Sequence, residues 1–102
     1  MGIEVVETRD MNTYLAEGSF KAILTETDEV QARLLNLDVG QGVDPCLMSH
    51  TVVYYVIEGR GRLQVEEDET ELHTGSLAVV PAGTTRSMSA AQRMRLLALQ
   101  LL

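Results

Sequence analysis

Residues 54–61 read YYVIEGRG, and residues 75–86 read GSLAVVPAGTTR. Each is a short apolar run halted by glycine, and neither carries a helical period. In the first, apolarity starts at Val52 and continues at both parities. Val52, Tyr54 and Val56 occupy one side, and Val53, Tyr55 and Ile57 the other. A strand with one wet face would alternate. Both faces of this strand must therefore be covered, one by a second sheet and the other by a partner subunit or an N-terminal strand of the same chain. Glu58-Gly59-Arg60-Gly61 reads as a turn. Pro81-Ala82-Gly83-Thr84 reads as a tight turn between strands, because proline presets a corner and glycine takes conformations that a Cβ resists.

The same punctuation recurs along the chain. Strands are expected at 3–7, 20–25, 30–39, 46–58, 62–66, 70–73, 77–80, 86–89 and 94–101, with an acidic hairpin tip at 67–69 and a weak helix at 10–16. In the third strand Leu35, Leu37 and Val39 share one face, and Asn36 and Asp38 the other. Eight or so short strands with regular turns point to an all-β sandwich or barrel, and 102 residues make one domain, 1–102.

Composition narrows the function. Eight Lys and Arg stand against 15 Asp and Glu, a net charge of −7. An acidic surface argues against nucleic-acid or anionic-membrane partners. Cys46 is the single cysteine, so no intrachain disulfide forms, which fits a reducing compartment. The opening MGIEVVET lacks the basic and apolar regions of a signal peptide, and no apolar run approaches the ~20 residues of a membrane helix. A cytoplasmic protein is expected.

The two quoted segments together resemble the cupin family. The second cupin motif runs glycine, five residues, proline, one residue, glycine, two residues, histidine. Gly75, Pro81 and Gly83 stand at those spacings, and Gly59 matches the glycine that ends the first motif. The motif-like segments span 40–61 and 75–90. The resemblance implies a cupin double-stranded β-helix, or jelly-roll barrel. In typical cupins two histidines and a glutamate of the first motif and one histidine of the second bind a divalent metal. Counted from Gly59 and Gly83, those positions fall at Cys46, Met48, Val52 and Arg86, so the resemblance implies a scaffold without the usual ligands.

On a single strand over 46–58, Cys46, Met48, His50, Val52 and Tyr54 share a face. Cys46, Met48 and His50 are soft or borderline ligands, so copper or zinc would suit them better than iron or manganese. The same residues also read as an ordinary core face. Cys46 and His50 lie about 13 Å apart on an extended strand, too far for a thiolate–imidazole pair. Arg86, if it points inward, would repel a divalent metal and could grip a carboxylate or phosphate; otherwise it pairs with an internal acid or turns to solvent.

The expected function is small-molecule binding, of an anion if Arg86 faces the cavity, in a pocket lined by Cys46, Met48, His50, Val52, Tyr54 and Arg86, with no cofactor. The alternatives are a metal-dependent small-molecule enzyme of oxygenase or isomerase type, using His50, Cys46 and Met48, and a structural or regulatory partner protein recognised through its acidic surface. The doubly apolar strand, and a second such run at 96–102, point to a homodimer.

Overall fold

The computed structural model describes residues 2–102 and contains nine strands among them. They are β1 (Phe20–Glu26), β2 (Val30–Leu37), β3 (Gly42–Leu47), β4 (Val52–Glu58), β5 (Arg60–Val65), β6 (Asp68–His73), β7 (Leu77–Val80), β8 (Thr85–Ala90) and β9 (Met94–Leu101). Two antiparallel sheets face each other. One is five-stranded in the order β1-β2-β9-β4-β7, and the other four-stranded in the order β3-β8-β5-β6. This is the jelly-roll arrangement that the cupin resemblance implies.

The core lies between the sheets. Val52, Tyr54 and Val56 of β4 point into it beside Leu96 and Ala98 of β9, and they meet Leu63, Leu72 and Met88 of the four-stranded sheet. Gly59 carries the chain from one sheet to the other. Its φ is +101°, and a Cβ there would stand 2.0 Å from the carbonyl oxygen of Arg93. No other residue fits that crossing.

Several expected elements differ. Residues 46–58 are not one strand. β3 ends at Leu47, residues 49–50 form a bend, and β4 begins at Val52 in the opposite sheet. Pro45 and the register shift between Val43 and Cys46 already interrupt the β3–β8 ladder. An unbroken apolar run does not reveal where a chain changes sheets. The hairpin turn lies at Glu66–Glu67, one residue earlier than expected, and β2 stops at Leu37.

Residues 3–7 form no strand and 10–16 no helix. The segment before β1 instead lies over the outer face of β2 and β9. Asn36, fully buried, donates through Nδ2 to the carbonyls of Met11 (2.8 Å) and Thr13 (3.0 Å). Arg95 Nη2 donates to the carbonyls of Thr8 and Met11. Buried side chains satisfy a strap that has no ladder of its own. Its backbone partners are therefore side chains far away in sequence, invisible to a local reading.

The rest of that outer face is bare. The register sets Val53 beside Val79 and Leu99, and Tyr55 beside Leu77 and Leu97. Leu77 (64% exposed) and Val79 (57%) are among the residues left uncovered.

Candidate functional site

A cavity of about 320 Å³ opens between the sheets at the end where β3 meets β8. That is the lower end of the ~300–1,000 Å³ typical of small-molecule sites. Cys46, Met48, His50, Val52, Tyr54 and Arg86 all line it, so these six residues share one enclosure although no single strand carries them.

Each is placed by a different feature. Cys46 on β3 pairs with Arg86 on β8. Met48 is held by the turn singled out in the sequence: its N–H donates to the Thr84 carbonyl (2.8 Å), and its own carbonyl accepts from the N–H of Gly83 (2.7 Å). Gly83 makes this possible with φ +84°. His50 lies on the bend beyond. Val52 and Tyr54 come from the inner face of β4, where the Tyr54 ring sits between two small neighbours, Ala78 and Ala98. The bend removes the strand-based separation of Cys46 and His50, because the two no longer lie on one extended segment.

The sequence reading missed three long polar side chains of the lining, Lys21 of β1, Arg33 of β2 and Gln100 of β9, and also Leu35, Val43, Leu47, Ser49 and Ala98. Lys21 pairs with Leu35, and Arg33 with Ala98, both inner-face positions. The available signal was the alternation of β2, in which Arg33 shares parity with core residues Leu35 and Leu37.

The electrostatics run against the protein's overall charge. Lys21, Arg33 and Arg86 are three of only eight Lys and Arg in the chain, and no Asp or Glu is among the cavity-lining residues. Arg86 is 8% exposed. Its Nη1 donates one long bond (3.3 Å) to the carbonyl of Asp44, and its Nε has no partner among the described residues. It forms no ion pair there either. A buried, unpaired guanidinium is costly unless something else compensates it. Burial raises the pKa of the Tyr54 hydroxyl above its ordinary 10.0, and the nearby Arg86 and Arg33 guanidiniums partly oppose that rise.

A polar chain runs along the wall opposite Arg86's strand. Arg33 donates through Nε to Gln31 Oε1 (2.7 Å) and through Nη2 to Gln100 Oε1 (2.6 Å). Gln100 Nε2 and the Ser49 hydroxyl each lie 3.1 Å from His50 Nδ1. A wider cleft of about 900 Å³ adjoins the cavity, shares Lys21, Arg33 and Arg86 with it, and carries Glu17, Asp38 and Asp44. Among the described residues no group of three or more His, Cys, Asp or Glu side chains is placed to hold a metal ion. Among the described residues no helix is long and apolar enough to cross a membrane.

Comparison with known proteins agrees with this architecture. TT1209 from Thermus thermophilus is 24% identical, with a TM-score of 0.89 over 97% of each chain. KdgF from a Halomonas species is 22% identical, with a TM-score of 0.80 over 91% of this chain and 90% of that one. Salicylate 1,2-dioxygenase from Pseudoaminobacter salicylatoxidans is 19% identical, with a TM-score of 0.78 over 85% of this chain but 27% of the enzyme. At these identities the likeness concerns the fold. No curated protein sequence matches the chain. Residues 33–99 match the cupin-domain family model, well over half the chain, and the protein belongs to the cupin family.

Proposed function

We propose that this cupin binds a small anionic molecule in its barrel cavity, at a place where the family's usual metal ligands have been replaced. One observation carries the reading. Arg86 is nine-tenths buried at the cavity wall with an unpartnered Nε, next to two further cations and no lining acid. A carboxylate or phosphate would supply the missing acceptors in the geometry that a guanidinium prefers. Val52, Leu35 and Val43 offer an apolar floor for the rest of the ligand.

The donor set fits an iron or manganese centre poorly. At the positions counted from Gly59 and Gly83 stand a thiol, a thioether, an aliphatic side chain and a cation, where hard cations want carboxylate and imidazole. A metal-dependent enzyme of oxygenase or isomerase type is the second reading. It is supported by Cys46, Met48 and His50 lining one cavity, a set suited to copper or zinc. Thermal denaturation against a panel of small dicarboxylates and phosphate monoesters tests the first reading. A midpoint rising with anion concentration, and lost in Arg86→Met, is expected. Metal analysis of protein purified without chelator tests the second. One equivalent of copper or zinc per chain, lost in His50→Ala, would replace the first reading with it.

We further infer that two copies pack through the bare outer face of β7, β4 and β9. Val53, Tyr55, Leu77, Val79, Leu97 and Leu99 make that face continuous and uncharged, so it complements itself across a two-fold axis without burying an unpaired charge.

A further inference from the structure

The geometry points to Gln100 as a positioning residue that locks the His50 ring as a hydrogen-bond donor toward the cavity ligand. This deepens the anion-binding reading, and rests on it only for what the ligand is.

Arg33 sets the direction of the whole chain of bonds. A guanidinium has donors and no acceptor. Its Nη2 lies 2.6 Å from the Gln100 side chain, so the amide oxygen must face it. The reversed amide would set two donors against each other at that distance. With the oxygen fixed on Arg33, the amide nitrogen faces His50 Nδ1 at 3.1 Å. An amide nitrogen only donates. Nδ1 must therefore supply its lone pair, and the proton of the neutral ring sits on Nε2. The Ser49 hydroxyl, 3.1 Å from the same nitrogen, is a rotor that can also turn its proton to that lone pair. No bond to Nε2 occurs among the described residues, and the ring lines the cavity.

His50 thus offers an N–H and not a lone pair. A metal-binding histidine has the opposite arrangement, in which its second nitrogen donates to a carboxylate or carbonyl and so frees the ligating lone pair. Here the outer partner is itself a donor. The ligand atom that meets His50 is an acceptor, a carboxylate or phosphate oxygen, and Arg33 enforces this from two bonds away.

Long-range nitrogen–proton correlation spectra of the His50 ring test the lock. They should be taken at a pH where the ring's own nitrogen shifts show the neutral form. Wild-type protein is expected to show the Nε2–H tautomer. In Gln100→Glu the introduced carboxylate accepts from Nδ1–H, and the tautomer should invert. Arg33→Met, which frees the amide to rotate, should give a mixture and covers the case in which the first variant fails to fold. A wild-type Nδ1–H tautomer, or an Nε2–H tautomer unmoved in both variants, overturns the proposal. Adding inorganic phosphate separates the two readings. A displaced Nε2–H resonance in the wild type supports both. An unmoved resonance with the Nε2–H tautomer intact counts against the anion and leaves the lock standing.

Discussion

Replacing Arg86 with methionine should stabilise the free protein while abolishing its response to anions. The wild-type guanidinium is 8% exposed, has no ion pair among the described residues, and leaves Nε unpartnered. An unsatisfied buried donor costs about 1–3 kcal/mol, and an uncompensated charge adds to that. Against this, the variant loses the bond to the Asp44 carbonyl and the polar contact with the Tyr54 hydroxyl. At 3.3 Å that bond belongs at the weak end of the ~1.5–3 kcal/mol range for a charged donor. Asp44 lies on an exposed stretch of β3, so water can replace the donor. Methionine keeps most of the packing of the arginine stem. The balance favours the variant by about 1 kcal/mol, which for a domain of this size raises the midpoint by about 4–8 °C. Saturating anion reverses the order, since a ligand at 100 times its Kd stabilises the wild type by about 2.7 kcal/mol. Calorimetry in an anion-free zwitterionic buffer, with and without the ligand, reads both effects. A variant whose free-state midpoint falls by several degrees would make Arg86 a structural residue and refute the reasoning.

Other perturbations probe the surrounding structure. Leu77→Glu combined with Val79→Lys should convert a dimer to a monomer by light scattering; a wild-type mass of one chain at micromolar concentration would count against the proposed association. Asn36→Ala removes two bonds to the carbonyls of Met11 and Thr13, and should cost about 1–3 kcal/mol and open residues 8–16 to limited proteolysis; unchanged protection would mean that the strap is held elsewhere. Tyr54 has a raised pKa, so its contribution is fully present below pH 10.0 and is lost as pH climbs through the higher folded value. Tyr54→Phe should therefore flatten part of the alkaline limb of a stability profile, and an identical limb would place the hydroxyl in solvent. Gly59→Ala forces a Cβ onto the Arg93 carbonyl and should cost upwards of about 3 kcal/mol in denaturant titration.

Much of this fold is legible in the sequence for physical reasons. Gly59, Gly75 and Gly83 all adopt positive φ, and Pro81 begins the turn that reaches Met48, so their spacing encodes corners directly. The alternation of β5 likewise maps onto burial, whereas the double apolarity of β4 does so on one face only: Val52, Tyr54 and Val56 are buried, while Tyr55 is exposed. What stays hidden is non-local. Nothing near residue 48 signals that β3 and β4 belong to different sheets, and the strap before β1 takes its partners from Asn36 and Arg95. The site is half legible for the same reason. Family spacing locates Cys46, Met48, Val52 and Arg86. Arg33 shares the parity of core residues Leu35 and Leu37, but Lys21 and Gln100 join the site only through the β1–β2–β9 pairing, which no local pattern reveals.

We propose that unpaired positive charge, rather than shape or a metal, selects what enters the barrel. Isothermal titration with the tightest anion from the panel, beside its neutral amide analogue of equal size, tests it most directly. One anion per chain with a negligible heat for the amide is the expected result. Equal affinity for the two would show that the cations of the cavity play no part in recognition.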